Sequence, residues 1–113
     1  MLKFHMDILK EFEEVGRRAK VILFGSLAKG CYRLDSDIDL AIITNGKNND
    51  LIELASSIAD KILMDHGKVV SLKFIKEEEM LRGKSPLIDE IKRGIVIYDG
   101  GKRVHKDSNK RGA

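Results

Sequence analysis

A glycine-serine pair joins an apolar run to a region that ends in two aspartates. The apolar run Val21–Phe24 is typical of a strand, and it stops at Gly25. Glycine allows the tight turn that brings a backbone close to a phosphate group. Ser26 is predicted to open a short helix, whose first unpaired N–H groups and serine hydroxyl would then face one anion. The pattern therefore predicts a phosphate-holding turn at Gly25-Ser26.

The two aspartates belong to an alternating run that extends from Ser36 to Ile43. In a strand this alternation places Asp37 and Asp39 on one face, and the apolar residues between and after them on the other. An isolated pair of this kind could simply cap a loop and face water. Behind a Gly-Ser turn, two like charges on one face instead suggest a bound cation. Carboxylate oxygens suit Mg²⁺ or Mn²⁺, which complete their coordination with phosphate oxygens and water.

These residues resemble the signature of a known enzyme family. Gly25-Ser26, Gly30 and Ser36–Leu40 are similar to the motif of the minimal nucleotidyltransferases in the DNA polymerase beta-like superfamily. The resemblance implies a strand–helix–strand core that uses magnesium to transfer a nucleoside monophosphate from a triphosphate to a hydroxyl. The expected triphosphate is ATP, and the group transferred is AMP.

The resemblance also implies roles for individual side chains. Asp37 and Asp39 would be the catalytic and metal-binding carboxylates, and Gly25 and Ser26 would hold the distal phosphates. Lys29 stands where relatives often have arginine, a change that keeps the charge but loses the planar fork of donors. The residues that we assign to nucleotide or phosphate binding are Gly25, Ser26, Lys29 and Ser36.

One expected carboxylate is missing from the sequence. Active superfamily members usually carry a third acid on a later strand, and the matching strand here is Lys68–Ile75. Its polar face offers Ser71 and Lys73 instead of an acid. Three accounts remain open: weak coordination by Ser71 or water, completion of the site by a partner or by the acidic run 77–79, or nucleotide binding without turnover. Lys73 could contact a phosphate or neutralise the aspartates, or it could extend into water.

The order of predicted elements indicates an α/β (α+β) fold with a small mixed sheet flanked by helices. Hydrophobic periodicity predicts a first helix from Leu2 to about Val15 and a longer core-packing helix after the loop 45–50. Ser85-Pro86 is a start signal for a further helix that ends near Gly94. Residues 1–100 are expected to form a nucleotidyltransferase domain, and residues 101–113 a basic, flexible tail.

Composition limits the class of protein. With 113 residues and 42% hydrophobic content, the chain supports one domain with a modest core. It has a single cysteine and no long apolar stretch, so we expect a cytoplasmic protein without a membrane segment. A net charge of +3 is too small to argue for a nucleic-acid interface, so nucleic acid is not a required partner.

The small size of the chain bears on the acceptor. It leaves no room for a separate acceptor-binding domain, which suggests that the acceptor is another protein. The family resemblance implies a helical HEPN-type partner in a toxin–antitoxin arrangement, and a homo-oligomer is also open. The alternative is a catalytically degenerate module that binds nucleotide or neutralises a partner, since Ser71 replaces the third acid. Transfer to a small molecule such as an aminoglycoside is a third hypothesis, which the size of the chain disfavours.

Overall fold

A mixed β-sheet forms the framework of the protein. The computed structural model describes residues 3–30, 36–46 and 48–100, and within them the sheet has four strands. These are β1 (Lys20–Phe24), β2 (Ile38–Thr44), β3 (Val70–Lys76) and β4 (Ile95–Asp99). Their order is β3-β2-β1-β4, with β1 antiparallel to both of its neighbours and β2 parallel to β3. The predicted small mixed sheet is therefore confirmed.

The described residues include the helical segments that periodicity and the Ser85-Pro86 signal predicted, and one helix over residues 77–82 that was not predicted. The helices are α1 (Lys3–Leu9), α2 (Glu13–Gly16), α3 (Asn49–His66), α4 (Glu77–Arg82) and α5 (Pro86–Lys92). Asn48 caps α3 by accepting a hydrogen bond from the Leu51 N–H at 3.1 Å, and Ser85 caps α5 by accepting one from the Ile88 N–H at 3.2 Å. Helix α3 connects the parallel strands β2 and β3, which a short turn could not join.

Helices cover both faces of the sheet. On one face the alternate residues of β2, Ile38, Leu40 and Ile42, pack in the larger core cluster with residues of α1 and α3 such as Ile8 and Leu51. On the other face, Ala41 and Ile43 pack in a smaller cluster with the α5 residues Ile88 and Ile91. Asp39 belongs to this second face because it alternates with Ala41. The second cluster therefore seats α5 on the sheet face that carries the acidic motif.

The first helical segment differs from the prediction of one continuous helix from Leu2 to Val15. A 3-10 turn at Lys10–Phe12 separates α1 from α2. At this break the Leu9 carbonyl accepts a hydrogen bond from the Tyr98 hydroxyl at 3.2 Å. A contact between residues so far apart in the chain cannot be read from local periodicity, which explains the difference.

Two further expectations concern a membrane segment and the C-terminal residues. Of the helices described, none is long and apolar enough to cross a membrane. The predicted basic tail, residues 101–113, lies outside the described residues and stays a prediction.

Candidate nucleotidyltransferase site

Gly25 and Asp39 meet where the end of β1 lies beside the start of β2. Phe24, the last residue of β1, is paired with Asp39 in the antiparallel register. Gly25 follows with φ +79°, a backbone conformation that residues other than glycine rarely adopt. A Cβ added to Gly25 would overlap the Oδ2 atom of Asp39. Only glycine therefore lets the turn lie directly against this carboxylate.

The turn after Gly25 is shorter than the predicted helix. The Lys29 N–H donates to the carbonyls of Gly25 and Ser26 at 3.2 and 3.1 Å, and the Gly30 N–H donates to the Leu27 carbonyl at 3.2 Å. These bonds close one turn, and the described residues 26–30 form no α-helix. The prediction that Ser26 opens a short helix is therefore wrong. Local N–H groups, rather than the dipole of a long helix, are what the turn offers to an anion.

Ser36 and Asp37 precede β2, while Asp39 is its second residue. Asp37 is exposed, whereas Ser36 and Asp39 are half-buried. Burial raises the pKa of Asp39 above its ordinary value, the charges of Asp37 and Glu90 raise that pKa further, and Lys73 opposes the rise. Burial and the neighbouring acids therefore disfavour the ionised form of Asp39. A bound cation would favour that form.

The neighbouring strand places Ser71 and Lys73 on the same face as Asp39. Ser71 is the parallel partner of Asp39, and Lys73 is the partner of Ala41. Ser71 is half-buried and Lys73 is exposed. The residue of β3 beside Asp39 is therefore a serine, and the next residue on that face carries a positive charge.

The acidic run 77–79 lies too far away to complete the site. It begins α4 immediately after β3, whose last residue, Lys76, is paired with Thr44 at the opposite end of β2. Five residues of strand between Ser71 and Lys76 correspond to about 17 Å. Glu77 and Glu78 instead line a cavity of about 420 Å³ with Asn45 and Gly46. In this structure the run does not supply the missing carboxylate.

Sequence reasoning missed Glu90. Its carboxylate lies 3.6 Å from the Lys29 ammonium, and its charge acts on Asp39. Helix α5 carries Glu90 to this position because Ile88 and Ile91 are buried against the sheet. The spacing of these isoleucines predicts the buried side of α5, but the sequence does not show that α5 covers the same sheet face as Asp39.

The residues present fit one divalent cation shared with a phosphate ligand. Among the described residues there is no group of three or more His, Cys, Asp or Glu side chains that could hold a metal. Asp37 and Asp39 therefore form a site of two carboxylates at most within these residues. Magnesium commonly binds through one or two carboxylates when substrate phosphates and water supply the other ligands. A cation there would offset both the burial and the neighbouring negative charges that disfavour the ionised form of Asp39.

Comparison with known proteins gives a family for the chain. The family model of polymerase beta nucleotidyltransferases matches residues 6–102. A protein of Methanocaldococcus jannaschii with the provisional name protein adenylyltransferase MJ0604 is 36% identical over 86 residues, which cover 74% of this chain and 81% of that protein.

A solved structure is also similar. The crystal structure of a mutant of the toxin–antitoxin MntA-HpeT includes a chain that matches with a TM-score of 0.48 and 16% identity, covering 83% of this chain and 71% of the other. The family assignment depends on the sequence matches alone. Since the family model spans all four described strands and both aspartates, the chain belongs to the polymerase beta nucleotidyltransferase family.

Proposed function

We propose that the protein is a metal-dependent nucleotidyltransferase that moves AMP from ATP to a hydroxyl of a partner protein. The observation that carries this proposal is the contact between Gly25 and the Asp39 carboxylate, with Asp37 beside it. A glycine here lets the predicted phosphate turn approach the half-buried acid directly. The family and the name of the Methanocaldococcus jannaschii relative support the reaction class.

In the proposed reaction the acceptor hydroxyl oxygen forms a bond to the α-phosphorus of ATP. The bond from that phosphorus to the bridging oxygen breaks, pyrophosphate leaves, and the hydroxyl proton passes to water. The turn at Gly25-Ser26 would hold the leaving phosphates through its N–H groups and the serine hydroxyl. Most of the rate would come from positioning the reactants and stabilising charge, as in other phosphoryl transfers.

Asp37 and Asp39 would hold Mg²⁺ or Mn²⁺ in this site. When bound, the metal neutralises phosphate charge and polarises the reacting phosphate. The aspartates orient the complex, and the closeness of Asp39 to Gly25 places the phosphate turn against the same point. In this proposal Ser36, in the segment before β2, and Lys29, in the turn after β1, would contact the nucleotide phosphates.

The acceptor in this proposal is a protein of the helical HEPN type, in a toxin–antitoxin pair. The name of the relative supports a protein acceptor. The HEPN identity rests on the motif resemblance.

The proposal is tested by incubating the chain with labelled ATP, magnesium and the product of a neighbouring gene. Label should transfer to the partner and disappear with the Asp37→Ala/Asp39→Ala variant. Asp60→Ala is a matched control, because Asp60 is exposed on α3 and away from the motif. Transfer that persists in the double variant, or complete absence of transfer, would contradict the enzymatic proposal.

A second candidate function is a nucleotide-binding or partner-neutralising module without turnover. The observation that favours it is the serine beside Asp39, where the strand could have carried a third acid. In that case the partner would be inhibited without being labelled, and Ser71→Asp would be the variant to gain transfer. Inhibition that requires labelling would exclude this alternative.

A further inference from the structure

Glu90 is the one acidic side chain of α5 whose charge acts on the motif aspartate Asp39. Its side chain is about one-third exposed, and its Oε2 lies 3.6 Å from the Lys29 Nζ. Lys29 belongs to the turn that starts at Gly25, so this ion pair links α5 directly to the phosphate turn. In the described site, the Lys29 ammonium is therefore directed to a carboxylate of the protein.

The charges around Asp39 determine what kind of phosphate ligand can enter. Asp37, Asp39 and Glu90 are acids, and Lys73 and Lys29 are the bases near them. A metal-free triphosphate would bring several further negative charges beside three carboxylates. Its entry would be opposed by repulsion, which a triphosphate that carries a divalent cation largely avoids.

Glu90 adds to this discrimination in two ways. Its own charge repels a bare phosphate, and its ion pair withholds Lys29 from that phosphate. The pair is only weakly favourable because Lys29 is mostly exposed, so a phosphate group could displace Glu90 at small cost. Ile88 and Ile91 are buried and fix α5 on the sheet, so the displacement would require movement of the Glu90 side chain only.

We propose that Glu90 is a specificity-determining residue that restricts the site to metal-bound triphosphate, and that nucleotide binding exchanges the Lys29–Glu90 pair for a contact between Lys29 and phosphate. This inference rests on the proposed function, because it concerns the same triphosphate site. It assigns a role to a helix residue outside the Gly-Ser and aspartate motif.

The test is calorimetric titration of the full chain with ATP, once with magnesium and once with EDTA. Glu90→Gln should strengthen binding of metal-free ATP about three- to fivefold, as expected for removal of one partly exposed charge. Binding of magnesium-ATP should strengthen by a smaller factor, because the cation offsets the repulsion by Glu90 and only the release of Lys29 remains. Asp89→Asn is the matched control, because it removes the same charge from an exposed neighbouring position on α5 and should leave both affinities unchanged.

A second pair of variants tests the part played by Lys29. In a Lys29→Gln background, the effect of Glu90→Gln on metal-free ATP should become smaller, because no lysine is left to release. An equal effect in both backgrounds would overturn the exchange of partners. If Glu90→Gln matches Asp89→Asn while magnesium-ATP still binds, the inference about Glu90 is wrong and the proposed function stands. If magnesium-ATP does not bind the unmodified chain at all, both are wrong.

Discussion

At the scale of single residues, the candidate site depends on a glycine whose turn lies directly against the carboxylate of Asp39. Gly25-Ser26 and Asp37-Ile38-Asp39 are recognisable by residue type and spacing, and the structure brings Gly25 and Asp39 into contact. The absence of an acid at Ser71 was also visible from strand alternation, and the register places Ser71 beside Asp39. The position of Glu90 near Asp39 was not predictable, since the sequence around Glu90 does not show which face of the sheet α5 covers.

Gly25→Ala is expected to damage the site more than an equivalent change elsewhere. The new Cβ would overlap the Asp39 carboxylate, and φ +79° adds roughly 1–2 kcal/mol of backbone strain. Gly46→Ala is the control, because Gly46 has φ +91° and, its chain neighbours apart, no atom of the described residues lies within 4 Å of its added Cβ. Both variants should lose stability in denaturant unfolding, but only Gly25→Ala should also lose binding of magnesium-ATP. Equal nucleotide affinities in the two variants would contradict the role of the close approach.

At the scale of elements, strand and helix positions were largely predictable, while irregularities were not. The Ser85-Pro86 signal correctly marked the start of α5, whereas α3 begins at Asn49, inside the predicted loop 45–50, because the Asn48 side chain caps it. The 3-10 turn at Lys10–Phe12 was missed. There the Glu13 N–H bonds to the Lys10 carbonyl, and the Leu9 carbonyl bonds to Tyr98 on β4. The tertiary hydrogen bond replaces a helical one, so only the assembled fold explains the break.

The packing of α1 should depend on pH through His5. The ring of His5 is fully buried, and neither of its nitrogens has a hydrogen-bond partner among the described residues. Burial lowers the pKa of His5, and the charges of Lys68 and the N-terminus lower it further. The unfolded chain therefore binds a proton more readily than the folded one. Stability should be complete above the unfolded pKa of about 6.5 and should fall as the pH decreases below it.

This pH dependence can be measured by denaturant unfolding between pH 5 and 7.5. One proton taken up on unfolding corresponds to at most about 1.4 kcal/mol per pH unit. His5→Phe should flatten the profile in this range. His66→Gln should not, because His66 is exposed at the end of α3. An unchanged profile in His5→Phe would show that His5 is not the responsible group.

At the scale of the whole molecule, the site exists because of the strand order. The order β3-β2-β1-β4 places the end of β1 beside the starts of β2 and β3, and so brings together Gly25, Asp39 and Ser71. The sequence predicted a small mixed sheet but did not give this order, because pairing between strands depends on contacts distant in the chain. The same topology places the acidic run 77–79 at the other end of the sheet. In this structure that run therefore cannot supply the carboxylate that Ser71 lacks.

The central claim is that Asp37 and Asp39 bind a triphosphate through a divalent cation. The most direct measurement is calorimetric titration of the full chain with ATP, with and without magnesium, for the unmodified protein and for Asp37→Asn/Asp39→Asn. We predict magnesium-dependent binding to the unmodified protein and its loss in the double variant, which should remain folded because Asp37 is exposed and Asp39 half-buried. Binding of equal affinity in the two proteins, or no binding to either, would contradict the claim.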